Sequence, residues 1–380
     1  MVNRRYEGKA VLVIGGTGFI GGRLAERLVL EEGAREVRVL VRNWSRAVWV
    51  SRYRVELVPG DVLDAASLAR AMVGIDVVFH CASAPADNGG YTRTNVEGTR
   101  AVIAACLAQG VSRLVYVSSI AVHGDDHEGV LSADSPRPLT GRDYSDSKVL
   151  AEDLVFEAAR SNALYCVIIR PTYVWGPRSS LFTVRPLREM KQDRFKWVDN
   201  GRGICAAVHV DNVVEAILLA GSKSGLSGRA YLVTDGEDLT WADFFGNYLR
   251  HLGVTAARAL DSRSRLARAG CRATDVLRTI VERLKGNPAP LWRKVVRRLA
   301  LELGRRMERR YMSAWDLHKY SRRAPVDIAS THRELGYVPV VSVAAGMRDT
   351  LLWVQDQYGG ELGSPTPVAG TVPVHPAGQG

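Results

Sequence analysis

Tyr144 and Lys148 stand four residues apart in the segment Y-S-D-S-K. On a helix that spacing puts both side chains on one face. A free tyrosine titrates near about 10, too high for ready proton exchange at neutral pH, and a neighbouring ammonium favours its phenolate. The pair can hand a proton to a carbonyl oxygen under reduction, or take one from an alcohol. Ser119 follows the apolar run Leu114–Val117. Its hydroxyl can hydrogen-bond the same oxygen where negative charge develops. A Y-x-x-x-K pattern alone recurs by chance. Its weight here comes from the strand and serines before it and from a second motif in register.

That second motif is G-G-T-G-F-I-G, directly after Val11–Ile14. Glycine at a tight turn lets backbone N–H groups approach a pyrophosphate. A helix starting near Phe19 aims its positive end at the same anion. Gly15, Thr17, Gly18, Phe19, Ile20 and Gly21 are the expected cradle of a dinucleotide. The end of the second strand reads Val41, Arg42, Asn43, with Arg46 beyond, and offers no carboxylate for ribose hydroxyls. Arg42 and Arg46 suit a 2′-phosphate, which favours NADP over NAD. The plainer alternative is two solvated arginines. Asp61 and Val62, in G-D-V, follow the third strand; Asp61 can meet the adenine amino group or simply close a turn. Cys81, Ala82 and Ser83, after the fourth strand, are small enough to let a cofactor lie across the strand ends.

Positioning these groups requires alternating strands and helices. Ala10–Ile14, Val37–Val41, Val77–His80, Leu114–Val117 and Cys166–Ile169 read as strands, nearly continuous in hydrophobicity as strands covered on both faces should be. Ile20–Glu32, Thr94–Gln109 and Ser145–Arg160 read as the helices between them. The order predicts an α/β fold with a parallel, doubly wound sheet. After Arg170 the alternation stops. Asp211–Ala220, Trp241–Leu252 and Val343–Gln357 read as helices and Ala230–Thr234 as a strand. The expected division is a dinucleotide-binding domain over 1–175 and a substrate lobe over 176–358. A basic insertion spans 255–323, and the Pro/Gly-rich stretch 359–380 is expected to be disordered.

With 380 residues, 46% hydrophobic and 24% charged, the composition is that of an ordinary globular protein. No apolar run reaches the roughly 18 residues that a membrane span needs. The basic start leads into an apolar stretch too short for a secretory signal. Five cysteines without a C-x-x-C pair point to reduced thiols and a cytoplasmic location. The net charge of +11 is confined: Arg258–Arg323 holds 19 Lys/Arg against 6 Asp/Glu, and the rest of the chain sums to −2. That distribution argues against a protein-wide nucleic-acid surface. Within 288–310, Leu291, Val295, Leu299 and Leu303 recur every fourth residue among arginines, a basic amphipathic helix. Two readings stay open for it: packing on the substrate lobe, or peripheral contact with an anionic membrane.

Taken together, the motifs resemble the extended short-chain dehydrogenase/reductase superfamily, also described as the NAD(P)-dependent epimerase/dehydratase family. The resemblance runs over roughly Lys9 to Trp353 apart from the insertion. It is carried by G-G-T-G-F-I-G, G-D-V, N-V-E-G-T, V-S-S-I-A-V-H-G, Y-S-D-S-K, R-P-T-Y-V-W-G-P and H-V-D-N-V. It implies a Rossmann-type sheet and a catalytic set of Ser119, Tyr144 and Lys148, with Ser119 matching the active serine better than Ser118. It also implies cofactor contacts from Asn95, Tyr144, Lys148, Pro171, Thr172 and Val174, Lys148 gripping the nicotinamide ribose. Homodimers are common in the family. Cys205 stands where nucleotide-sugar epimerases commonly carry arginine, and Ile120 and Ala121 replace the acidic pair of sugar dehydratases. H-V-D-N-V is similar to the 3β-hydroxysteroid dehydrogenase and dihydroflavonol reductase branches. The expected activity is alcohol–ketone interconversion on a bulky apolar small molecule. The alternatives are a nucleotide-sugar epimerase with tightly held NAD and a non-enzymatic dinucleotide sensor, a class that often loses the tyrosine or lysine. H-G-D-D-H over His123–His127 lacks a third ligand at a recognisable spacing, so no metal site is expected. Trp175, Trp197 and Trp292 can line an apolar pocket, but tryptophan more often packs.

Overall fold

Successive residues of the first strand point to opposite sides, and that alternation sets the architecture. Val11 and Val13 enter one apolar layer; Ala10, Leu12 and Ile14 enter the other. The computed structural model describes residues 4–84, 90–124, 129–255, 257–284 and 291–362.

The first half runs β1 (Ala10–Ile14), α1 (Phe19–Leu30), β2 (Glu36–Val41), β3 (Glu56–Pro59), α2 (Ala65–Met72), β4 (Val77–His80), α3 (Gly98–Ala108), β5 (Arg113–Val117), α4 (Asp143–Arg160) and β6 (Tyr165–Pro171). The second half continues with β7 (Tyr173–Trp175), α5 (Arg185–Lys191), β8 (Lys196–Val198), β9 (Ala207–His209), α6 (Val210–Ser222), β10 (Arg229–Val233) and α7 (Trp241–Leu252). It ends with β11 (Arg258–Leu260), α8 (Arg265–Arg283), α9 (Leu291–Arg310), α10 (Ala314–Ser321) and α11 (Val343–Leu362).

Seven strands form one sheet in the order β10-β6-β5-β4-β1-β2-β3, every pairing parallel. This is the Rossmann order with β10 added beside β6. Helices α1 and α6 contribute Leu24, Leu28, Val213 and Ile217 to one layer. The other layer takes Leu68 from α2, Val102 from α3 and Val155 from α4. Thus β10, from the second half of the sequence, extends the main sheet, and α6 packs on one face of it. An aromatic cluster of Trp175, Phe182, Trp241, Phe244, Phe245 and Tyr248 forms a separate core in the second half of the chain.

Two expectations need correction. Residues 94–109 do not form one regular helix: a wide helical turn, Thr92–Glu97, precedes α3. The stretch from Gly359 is not irregular from its start, because α11 continues to Leu362. Residues 363–380 lie outside the described ones. The basic segment is also richer than a single amphipathic helix. It holds α8 and α9 packed together, with α10 beneath α8. A small cluster of Val198, Cys271 and Leu317 ties α8 and α10 to β8.

Candidate active site

Most candidate cofactor residues follow a strand of the main sheet or lie at the start of a helix behind one, while Pro171 ends β6 and Val174 lies in β7 of a separate two-stranded sheet; the strand ends are the edge where parallel α/β sheets bind ligands. Gly15 has φ +87°, and a Cβ there would lie 2.6 Å from the backbone nitrogen of Ala82. The turn after β1 therefore lies directly against the loop after β4, an approach only glycine permits. A Cβ on Gly21 would run into the Gly15 carbonyl. Gly18 caps α1 without a side-chain hydrogen bond. The first amides of α1 remain available to an anion. The cradle thus fits a pyrophosphate group; Thr17 lies in the same turn, and Phe19 and Ile20 open α1.

At the next strand ends, Arg42 is exposed and stands 3.6 Å from the Asp61 carboxylate. Arg46 ends the short turn Trp44–Arg46, which the Asn43 side chain caps. Asp61 also accepts from the Leu63 amide at 3.0 Å, so its local turn role is in place. Val62 is buried, Ser83 is exposed, and Cys81 and Ala82 are half-buried. The Cys81 amide donates to the Ile14 carbonyl at 2.8 Å, locking the β4 loop to β1.

The turn after β5 opens with Ser119, whose Oγ accepts from the Ala121 amide at 3.2 Å. The Ser119 side chain also lies close enough to the Tyr144 hydroxyl, in the first turn of α4, to lower its pKa. Ser118 points elsewhere, and its buried Oγ has no partner among the described residues. Burial raises the Tyr144 pKa, and the Ser119 side chain partly counters that. The Tyr91 ring meets the Tyr144 ring edge-on, with centroids 5.3 Å apart. Asn95 is buried in the wide turn before α3. It accepts from the Ala84 amide at 3.1 Å and donates to Ser147 Oγ at 2.9 Å. Ser147 in turn donates to the Tyr144 carbonyl at 2.8 Å. One amide side chain thereby joins the cofactor-side loop to the start of α4.

Lys148 lies one turn beyond Tyr144 and is buried. Its ammonium donates to the Val117 carbonyl at 2.9 Å and to the Tyr116 hydroxyl at 3.3 Å. Burial lowers its pKa to about 8, with Glu152 opposing the shift. Sequence reasoning directed Lys148 at the Tyr144 phenol. The structure directs it at the end of β5, because the strand offers a carbonyl and a buried phenol on that side.

Tyr116 had no sequence signal beyond its place in an apolar strand. Its hydroxyl also lies near the Thr99 side chain, which lowers its pKa against the effect of burial, and Thr99 Oγ1 lies 3.1 Å from His80 Nε2. Lys148, Tyr116, Thr99 and His80 form one buried polar chain behind the site. Tyr116→Phe is expected to weaken the hold on the Lys148 ammonium by about 1.5–3 kcal/mol, as for a bond to a charged donor. Loss of that acceptor disfavours the protonated form, so the alkaline limb of the kcat–pH profile should move to lower pH. An unchanged limb would show that Tyr116 only packs.

Glu152, one turn beyond Lys148, was missed for the same reason. It is fully buried and takes two bonds of 2.8 Å from Arg170 on β6 and one of 3.1 Å from Arg137. Arg170 further donates to the Ala133 carbonyl at 2.6 Å and lies 3.3 Å from His123 Nε2. His123 is thus engaged on both ring nitrogens, its Nδ1 lying 3.1 Å from the Pro136 carbonyl. Asp125, Asp126 and His127 lie outside the described residues.

At the end of β6, Pro171 and Thr172 are buried and Val174 is half-buried. Thr172 Oγ1 donates to the Val233 carbonyl at 3.0 Å. The H-V-D-N segment turns out to be an anchor. Asn212 accepts from the Val340 and Val341 amides at 2.8 and 2.9 Å and donates to Asp235 at 2.7 Å. Asp235 also takes the Trp175 indole N–H at 2.8 Å, and burial raises its pKa to about 6. Trp175 is packed, as tryptophan usually is. Trp197 stacks edge-on against Phe195, and the Trp292 side chain lies outside the described ones. Cys205 is buried in the aromatic cluster with Trp241 and Phe244.

A doubly wound parallel sheet, a glycine cradle at its first strand and a Ser–Tyr–Lys set at its fifth define an NAD(P)-dependent oxidoreductase of the extended short-chain type. Within that class the chain belongs to the 3-beta hydroxysteroid dehydrogenase/isomerase family, whose model matches residues 12–262. It is 30% identical over 352 residues to a 2-alkyl-3-oxoalkanoate reductase of Stenotrophomonas maltophilia, covering 89% of this chain and 97% of the relative. It is 34% identical over 250 residues to the 4-hydroxy-2-methyl-3-oxo-4-farnesyl-3,4-dihydroquinoline-1-oxide ketoreductase of Stigmatella aurantiaca, covering 64% of this chain and 73% of the relative. The dTDP-glucose 4,6-dehydratase DesIV of Streptomyces venezuelae has the same fold, with a TM-score of 0.68 at 24% identity over 92% of this chain and 98% of that one. At that identity the likeness concerns the fold alone.

Proposed function

We propose that this protein interconverts a ketone and a secondary alcohol on a bulky apolar molecule, with NADP(H) as the favoured cofactor. The observation that carries the reading is that Ser119, at the end of β5, and Tyr144, in the first turn of α4, meet at the same sheet edge as the glycine cradle. The relatives' printed substrates, an alkylated oxoalkanoate and a farnesylated oxo-quinoline, share an oxo group on an apolar skeleton. The bound nicotinamide would supply or accept the hydride at its C4. Burial keeps the Tyr144 phenol protonated, the form that donates to a developing alkoxide. Ser119 shares that oxygen and stabilises its charge. Lys148 keeps a positive charge behind the site, and Asn95 fixes α4 against the cofactor loop. The test is oxidation of NADPH with a panel of 2-alkyl-3-oxo acids and 3-oxosteroids, followed by product stereochemistry. Absence of turnover on every apolar ketone, with turnover on a nucleotide sugar, would overturn the reading.

Arg42 supports the choice of NADP(H). Its exposed pairing with Asp61 is worth about 1 kcal/mol at most, so a 2′-phosphate can replace it as partner. Arg42→Ala should cost NADPH about 1.5–3 kcal/mol of binding, roughly 10- to 150-fold in Kd, and NADH far less. Equal losses in titrations with the two cofactors would mean that Arg42 reads no phosphate.

A further inference from the structure

The two long helices of the basic segment each leave an apolar stripe in solvent. On α9, Val295, Leu299 and Leu303 follow every fourth residue and are 52, 65 and 50% exposed. The opposite side of α9 holds the helix to its neighbour, with Ala300 buried and Glu308 paired to Arg278 at 2.9 Å. The stripe read from the sequence therefore forms, and it points outward instead of packing on the substrate lobe. On α8, Leu266, Val276 and Ile280 are exposed in line with Ala269 and Ala273, while Ala267, Gly270, Cys271 and Thr274 are buried on its other side.

Arginines border both stripes: Arg265, Arg268 and Arg272 on α8, and Arg298, Arg305 and Arg309 on α9. None of these six side chains pairs with a carboxylate among the described residues. Glu302, within the α9 stripe, is answered by Arg306 at 3.5 Å. From Arg265 to Arg310 the chain holds 14 Lys/Arg and 4 Asp/Glu.

We propose that the α8–α9 pair docks this protein on an anionic lipid bilayer. The leucines and valines seat at the headgroup boundary and the arginines meet lipid phosphates. Neither helix is long and apolar enough to cross the bilayer. A second copy of the chain fits poorly, because two faces with the same ten-charge excess would repel. Nucleic acid would use the arginines but gains nothing from exposed Leu299 and Leu303. An anionic bilayer uses both. The docking face also borders the catalytic helix. A cleft between α8 and α10 is lined by Arg142, Arg268, Arg272 and Leu317, and Arg142 stands two residues before Tyr144. On the proposed function, which this inference rests on, an apolar substrate passes from the lipid to the site without crossing water.

The test is co-sedimentation of the full chain, loaded with NADPH, with vesicles of phosphatidylcholine alone or mixed with phosphatidylglycerol. Binding should be at least about tenfold stronger on the anionic vesicles at low salt and should weaken as salt is added. Leu299→Asp/Leu303→Asp and Arg298→Gln/Arg305→Gln/Arg309→Gln should each lower partitioning about tenfold or more, with circular dichroism and NADPH affinity unchanged. All these side chains are exposed, so folding is not at stake. Protein left in the supernatant with anionic vesicles at low salt would overturn docking. So would wild-type partitioning by the leucine variant, which would reduce the effect to charge adsorption. Displacement from vesicles by duplex DNA of equal total charge would also overturn it and favour nucleic acid. Turnover of a detergent-dispersed ketone is measured in parallel. Its absence in the wild type counts against the proposed function, whereas absent vesicle binding with intact turnover counts against docking alone.

Discussion

Tyr144→Phe is expected to lower kcat by about 10²–10⁴-fold while the NADPH dissociation constant stays within about twofold. The substitution deletes one hydroxyl and leaves the ring against Tyr91. The turn of α4 should persist, because Asn95 and Ser147 hold it through the backbone carbonyl of residue 144, which any side chain leaves in place. Only the proton path to the substrate oxygen is removed. Single-turnover measurements with saturating NADPH would separate this from slowed product release. A Tyr144→Phe enzyme that reduces its ketone at the wild-type rate would sink the mechanism.

Glu152→Ala should destabilise the fold by about 3–5 kcal/mol, because it strands a buried guanidinium without its counter-charge. Arg170 is the group left behind; its side chain is 2% exposed, and Glu152 takes two of its bonds. Thermal unfolding should move down by roughly 5–15 °C. The loss should spread to the site, since Glu152 raises the pKa of Lys148 and Arg170 ties the Ala133 loop to β6. Removing both charges together, as in Glu152→Leu/Arg170→Met, should recover much of the stability, because an apolar pair of similar volume no longer carries a desolvation cost. If the single variant lost less than about 1 kcal/mol and the double lost more, the pair would not be the anchor its geometry describes.

The sequence by itself determined the local pieces. β1, β4 and α7 begin and end at the residues where apolar runs and turn residues place them, because each is set by neighbours along the chain. The glycine cradle and the Tyr144–Lys148 spacing are equally local: a φ of +87° at Gly15 and one helical turn are properties of short segments. Sequence also located the excess charge between Arg258 and Arg323 and the stripe through Leu299. It could not say which way that stripe faces, because a helix carries no information about the surface opposite it. Only the tertiary structure decided that Val295, Leu299 and Leu303 stay in solvent and that α8 exposes a stripe of its own. The same holds for the charges behind the site. Glu152 and Arg170 are 18 residues apart, and His80 and Thr99 are 19 apart. Each looks in the sequence like an ordinary polar residue of a helix or strand. Stacking α3 and α4 on one side of the sheet is what brings them within hydrogen-bond distance, buries them, and turns the Lys148 ammonium toward Tyr116.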